Sequence, residues 1–109
     1  MELNIYFREE TDLVKVFIKG EIDTFTAPKL RNKLESIKII PNRLIELDLS
    51  KVVYMDSTGL GVTVACYKKV VRENGNLRLF GLSDRLKRLF SITGLSELMD
   101  IEEVGVKVE

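Results

Sequence analysis

The spacing of the apolar residues changes along this chain, and these changes constrain the fold more than any other feature. Apolar and polar side chains alternate over residues 3–7 and again over residues 14–18, which predicts two neighbouring strands or a β-hairpin. Residues 27–37 then follow the spacing of an amphipathic helix. Residues 44–49 form a nearly continuous apolar run, which is typical of a strand covered on both faces.

The second half of the chain continues this alternation of strands and helices. A helix is predicted from about Thr58 to Glu73, and the apolar side chains of residues 77–80 predict a buried strand. Ser83 is placed to cap a third helix, which is expected to end at Gly94. Strands and helices therefore follow one another in a way that favours parallel strands joined by crossover helices.

Together these elements predict an α/β fold. Their order favours a mixed, mostly parallel sheet of four to five strands, with an N-terminal β-hairpin and three to four α-helices. This prediction includes a helical turn at residues 95–99 and an edge strand in the weakly alternating tail, residues 101–108. The length suits one core, so a single domain is predicted over residues 1–109.

The composition excludes several classes of enzyme and site. The chain has no histidine, and Cys66 is its only cysteine, so His-dependent catalysis, an internal disulfide and His- or Cys-cluster metal sites are excluded. Basic and acidic residues number 17 each, which gives no general positive surface for nucleic acid. No apolar run reaches the roughly 20 residues of a membrane span, and no signal peptide is recognisable, which predicts a cytoplasmic protein.

The chemistry is expected between the strand at residues 44–49 and the helix that follows it. Small polar residues and glycines occur together there, in the order Asp56-Ser57-Thr58-Gly59-Leu60-Gly61. Such residues mark a helix N-terminus, because Asp, Ser and Thr side chains accept hydrogen bonds from its unpaired N–H groups. The run lacks the Gly-Lys-Ser/Thr of a phosphate-binding loop, the third glycine of a dinucleotide site and the G-x-S-x-G of a hydrolase.

Ser57 can instead accept a phosphoryl group from a separate kinase. A phosphoserine carries about −1.5 to −2 charges near neutral pH; the helix dipole partly stabilises them, and the neighbouring carboxylate of Asp56 repels them. A partner docked against this helix would then contact a bulky, strongly hydrated anion. The domain would stay folded while the partner is released.

The run resembles the phosphorylation motif of the bacterial anti-sigma-factor antagonists, which belong to the STAS-domain family. Three further segments occur in the order and spacing of that family and extend the similarity over about residues 3–103. These segments are Gly20-Glu21-Ile22-Asp23 with Ala27-Pro28 and Leu30-Arg31, Leu47-Asp48-Leu49-Ser50 with Val52, and Gly75, Leu77 and Leu79 with Ile92-Thr93-Gly94-Leu95.

This resemblance implies a partner switch and no enzymatic activity in the chain itself. The unphosphorylated protein would bind an anti-sigma factor that is also a serine kinase, and would thereby release a sigma factor. That kinase would use ATP to phosphorylate Ser57, which would block binding, and a PP2C-type serine phosphatase would reverse the modification. Thr58 is a neighbouring hydroxyl and a candidate minor site. The chain would need no cofactor or metal of its own.

The predicted partner surface centres on the same helix start. Asp23 is expected to lie nearby as an auxiliary contact, because strand ends converge at one edge of a parallel sheet. The helix after the motif has more than one apolar face, and the face with Val62 and Cys66 favours a docking surface. The predicted partner-binding residues are therefore Asp23, Asp56, Ser57, Thr58, Gly59, Leu60, Gly61, Val62 and Cys66.

Two alternative functions stay open from the sequence. Within the same fold, the chain could serve another regulatory assembly or a lipid- or anion-transport system. An enzyme-class alternative is a receiver-like phosphotransfer domain with Asp48 or Asp56 as the phosphoacceptor and a bound magnesium ion. That alternative would need paired acidic residues near the N-terminal strand, and residues 3–8 contain none.

Overall fold

The computed structural model describes residues 2–102 as a five-stranded sheet with three α-helices. The strand order is β1-β2-β3-β4-β5; β1 and β2 are antiparallel, and every other pair is parallel. The predicted mixed α/β fold with an N-terminal hairpin is confirmed. In chain order, the elements are β1 (Leu3–Glu9), β2 (Leu13–Ile22), α1 (Ala27–Glu35), β3 (Leu44–Met55), α2 (Ser57–Arg72), β4 (Asn76–Phe80), α3 (Asp84–Ile92), a 3₁₀-helix (Leu95–Glu97) and β5 (Asp100–Glu102).

One face of the sheet forms the apolar core with the helices. Alternate side chains of a strand lie on the same face, so the period-2 residues of β2, β3 and β4 collect on one side. Buried residues of α1, α2 and α3 join them in one cluster. The buried strand residues on this face are Val14, Val16, Ile18, Ile45, Leu47, Leu49, Leu77 and Leu79.

The other face of the sheet carries polar and aromatic side chains in two rows across all five strands. The strand register aligns them as Arg8–Lys15–Glu46–Arg78–Asp100 and Tyr6–Phe17–Asp48–Phe80–Glu102. The Lys15 ammonium lies 3.3 Å from a Glu46 carboxylate oxygen and 4.9 Å from the centre of the Phe80 ring. Residues 45–49 are thus buried on both faces, as predicted, with ion pairs and aromatic rings covering Glu46 and Asp48.

The strand β3 is longer than the sequence pattern indicates. It runs to Met55, whereas a strand over residues 44–49 and then a connection were predicted. The reason is its partner: β2 continues through Gly20 to Ile22, and register shifts keep the two strands paired to their ends. Gly20 has a φ of +125°, and a Cβ there would lie 2.1 Å from the carbonyl oxygen of Glu2, so only glycine fits.

The C-terminal elements agree with the predicted helix and turn. The Ser83 hydroxyl accepts a hydrogen bond from the Leu86 N–H at 3.2 Å, which confirms the predicted cap of α3. Gly94, in a left-handed conformation, separates α3 from the 3₁₀-helix. The predicted edge strand is confirmed for β5; its remaining predicted residues, 103–108, lie outside the described part of the chain.

Candidate functional site

Two strand-to-helix junctions lie side by side at the carboxyl edge of the sheet. The ends of β2 and β3 are in register, with Ile22 opposite Met55. The Asp56 N–H donates to the Ile22 carbonyl at 3.2 Å, which joins the two junctions directly. Asp23 and Asp56 therefore follow neighbouring strand ends, as the sequence predicted.

At the junction of β3 and α2, Asp56 caps the helix. One oxygen of its carboxylate accepts hydrogen bonds from the Thr58 N–H at 2.9 Å and the Gly59 N–H at 3.3 Å. The helix begins at Ser57, one residue earlier than predicted. This carboxylate therefore occupies N–H groups that an incoming anion would otherwise bind.

The Ser57 side chain is exposed on the first residue of α2, and that of Thr58 is half-buried. Neither hydroxyl makes a hydrogen bond within the described residues 2–102. A serine hydroxyl is a weak nucleophile until a base removes its proton. In this part of the chain no base is bound to the Ser57 hydroxyl.

The two glycines of the motif have different roles in packing. A Cβ on Gly59 would lie 2.6 Å from Met55 Cγ and 2.8 Å from Ile22 Cγ2, both far too close. Glycine at this position thus lets α2 start directly against the ends of β2 and β3. A Cβ on Gly61 would meet nothing within 4 Å, since that residue is on the outer surface of the helix.

At the junction of β2 and α1, the polar side chains bind one another. The Asp23 carboxylate accepts from the Phe25 N–H at 2.9 Å and the Thr26 N–H at 3.0 Å. These bonds, chiefly that from Thr26, lower the pKa of Asp23 below its ordinary value. The Thr26 hydroxyl donates to the Glu21 carbonyl at 2.7 Å and accepts from the Asp23 N–H at 2.9 Å.

Thr26 directly precedes α1, but its hydroxyl makes no capping bond to that helix. The turn leaves Phe25 exposed over 85% of its surface. Phe25 was not among the residues predicted from the sequence, where its one signal is a lone aromatic residue inside a polar loop. Large aromatic side chains are enriched among the residues that contribute most to binding at protein interfaces. The exposed Phe25 side chain is therefore a candidate contact residue.

The Val62 and Cys66 face of α2, which was predicted as a docking surface, is largely buried in the structure. Their side chains are only 2% and 8% exposed, and they line a groove with Leu34 of α1. The helix α2 packs against α1 as well as the sheet, so two of its stripes are buried. Burial raises the pKa of the Cys66 thiol to about 11, which disfavours the reactive thiolate.

The structure divides the predicted partner-binding set into accessible and buried residues. Gly59 and Leu60 are buried with Val62 and Cys66, and they support the position of the helix. The exposed surface of α2 starts at Ser57 and continues through Gly61 and Ala65. Asp23, Asp56 and Thr58 are half-buried beside it.

Comparison with known proteins agrees with this architecture. The STAS domain family model matches residues 4–106. The chain is 47% identical to the anti-sigma-B factor antagonist of Listeria monocytogenes over 105 residues, which is 95% of this chain and 92% of that protein. No helix among residues 2–102 is long and apolar enough to cross a membrane.

Solved structures share the fold at lower identity. The crystal structure of an anti-sigma factor antagonist from Mycobacterium paratuberculosis superposes with a TM-score of 0.84 at 24% identity, over 95% of this chain and 88% of that one. The Bacillus cell fate determinant SpoIIAA in its phosphorylated form superposes with a TM-score of 0.68 at 18% identity, over 93% of each chain. Because the STAS domain model matches nearly the whole length of this chain, the chain belongs to the STAS-domain family.

Proposed function

We propose that this protein is an anti-sigma-factor antagonist whose binding is controlled by phosphorylation of Ser57. The observation that carries the proposal is the exposed Ser57 hydroxyl, which has no partner in residues 2–102, at the first turn of α2. The name of the Listeria relative supports the same partner class. The unphosphorylated form binds an anti-sigma factor that is also a serine kinase, and a sigma factor is released.

The switch is electrostatic. The Ser57 oxygen attacks the γ-phosphorus of ATP bound to the partner, the hydroxyl proton passes to a base of the kinase, and ADP leaves. The phosphate adds about −1.5 to −2 charges beside the carboxylate of Asp56. Because Asp56 already accepts from the Thr58 and Gly59 N–H groups, the helix N-terminus has little left to bind the new anion.

The added phosphate therefore depends on water for most of its stabilisation. A partner docked on the start of α2 would have to remove that water, and the cost of desolvating a dianion is large. The domain itself stays folded, since the Ser57 side chain contributes no hydrogen bond to the described structure. A PP2C-type serine phosphatase resets the switch.

The chain acts as a binding module without catalysis of its own, ATP belongs to the partner kinase, and the protein works in the cytoplasm. The receiver-like alternative gains no support, because Asp48 lies on the polar face of the sheet and accepts from the Ser50 hydroxyl at 2.6 Å, while Asp56 caps α2.

The test is phosphate mapping after incubation with the serine-kinase anti-sigma factor of the same organism and ATP. One phosphate is expected on Ser57, absent from Ser57→Ala and retained in the matched control Thr58→Ala. Ser57→Asp should fold normally and bind the anti-sigma factor at least tenfold more weakly by calorimetry (about 1.4 kcal/mol). An acyl phosphate on Asp48 or Asp56 would contradict the proposal. Absence of both binding and modification would favour a STAS domain of another regulatory or lipid- or anion-transport assembly.

A further inference from the structure

A groove lies between the end of β3 and helix α3, next to the Ser57 junction. Its volume is about 250 Å³, and its walls include Val53 and Tyr54 on one side and α3 on the other. Val53 is 70% exposed and Tyr54 44%. These two residues immediately precede Met55 and the motif, so the groove is continuous with the surface proposed above.

One stripe of α3 lines the groove with two arginines and an isoleucine. Arg85, Arg88 and Ile92 are spaced three and four residues apart, which places them on the same side of the helix. Ile92 is 73% exposed. The stripe therefore presents positive charge and exposed apolar surface together, and neither is paired with or covered by other residues in positions 2–102.

Like Arg31 and Arg72, the arginines of this stripe have no acidic partner within residues 2–102, unlike several other arginines of the domain. Arg43 and Arg78 form ion pairs with acidic side chains. Within residues 2–102, no ion pair or hydrogen bond engages the side chain of Arg85 or Arg88. Two unpaired guanidinium groups beside exposed aliphatic side chains complement carboxylates next to an apolar anchor.

We propose that this groove binds an acidic, amphipathic segment of the anti-sigma factor. Carboxylates of the segment pair with Arg85 and Arg88, and an apolar side chain packs between Val53 and Ile92. The inference rests on the proposed function and extends its contact surface from the start of α2 across the end of β3 to α3. Such charge pairs at an interface rim accelerate association and select the partner.

The test compares two double charge reversals by calorimetry against the purified anti-sigma factor of the same organism. The variant R85E/R88E alters the groove, and the matched control K33E/K38E makes the same change in net charge at exposed lysines away from it. We expect R85E/R88E to raise the Kd at least about tenfold and to flatten its dependence on salt, with the control near wild type. Ile92→Asp, at an exposed position, should weaken binding in the same direction.

The outcomes separate this inference from the proposed function. If wild type binds and is phosphorylated on Ser57 but R85E/R88E and Ile92→Asp bind like the control, the groove proposal is overturned and the switch stands. If R85E/R88E binds weakly but still receives phosphate on Ser57 at saturating kinase, both stand. If wild type neither binds nor is phosphorylated, both fail together. A circular dichroism melt of each variant shows that the fold is retained.

Discussion

The two junctions at the carboxyl edge of the sheet share the same arrangement of backbone hydrogen bonds to an aspartate, but their hydroxyl groups differ in burial and bonding. In each, an aspartate follows a strand and accepts two backbone N–H bonds from the next few residues. At the β2–α1 junction, the Thr26 hydroxyl is buried and bonded to the Glu21 carbonyl. At the β3–α2 junction, the Ser57 hydroxyl is exposed and, among residues 2–102, unbonded.

This difference distinguishes a hydroxyl that supports the fold from one that is open to the proposed modification. A kinase needs a hydroxyl that it can reach without breaking the fold, and only the second junction presents one on its helix start. The first junction instead presents the Phe25 ring on a turn whose backbone is held by Asp23. The two neighbouring junctions therefore present an exposed hydroxyl and an exposed aromatic ring, which suits the interface proposed above.

The largest expected effect concerns the glycines that give the second junction its shape. Gly59→Ala should lower the free energy of unfolding by about 2 kcal/mol, because its Cβ would collide with Met55 and Ile22. Gly61→Ala should leave it unchanged or raise it by up to about 1 kcal/mol, since alanine favours helix and the site is open. Urea unfolding of both variants measures the difference. Equal shifts would show that the packing at Gly59 is not specific.

The next prediction compares the removal of each of the two hydroxyls, those of Thr26 and Ser57. Thr26→Val removes a buried hydroxyl, breaks its bond to Glu21 and leaves the Asp23 N–H without its acceptor, so about 1–2 kcal/mol of stability should be lost. Ser57→Ala should change stability by no more than about 0.5 kcal/mol. In the kinase assay the order reverses: Thr26→Val is still phosphorylated and Ser57→Ala is not. If Ser57→Ala destabilises as much as Thr26→Val, the contrast between the junctions is lost.

A smaller loss of stability is expected when the aspartate of either junction can no longer accept its backbone N–H bonds. Asp56→Ala should lower the free energy of unfolding by about 1 kcal/mol through loss of the helix cap, measured by urea unfolding. Asp56→Asn is the control, because its side-chain oxygen can still accept the same N–H bonds. Asp23→Ala should act in the same direction by releasing the turn at Phe25. A fully stable Asp56→Ala would mean that the cap does not hold the start of α2.

The smallest effect is the acid sensitivity of the first junction. The hydrogen bonds from Thr26 and Phe25 lower the pKa of Asp23 below 3.8, its ordinary value. Its ionised form therefore stabilises the fold above that value, and the contribution is lost as the pH falls through the lower pKa of the folded state. Thermal melts from pH 6 to about pH 3 should fall less steeply for Asp23→Asn than for wild type. Parallel curves would assign the acid loss to other carboxylates.

The sequence alone predicted the sheet and the helices for local reasons, and the family resemblance predicted Ser57 as the phosphorylation site. Alternating residues in β2 and the capping residue Ser83 act through bonds and spacings within a few positions, so the pattern shows them directly. Likewise, the Asp-Ser-Thr-Gly run marks a helix start because its chemistry is local. The extension of β3 to Met55 was missed, because it depends on pairing with β2 across more than thirty residues of chain.

Tertiary packing decided which of the predicted site residues are accessible. Val62 and Cys66 looked like a free apolar face in the sequence, but α1 covers them, and no spacing within α2 encodes that neighbour. Nor does residue type distinguish the hydroxyls of Thr26 and Ser57, since both stand at the start of a helix after an aspartate. The Thr26 hydroxyl donates a hydrogen bond to the Glu21 carbonyl, whereas the Ser57 hydroxyl is exposed to solvent. Hydrogen-bond partners and burial are set by the three-dimensional neighbours, which is why only the structure shows which of these side chains are accessible.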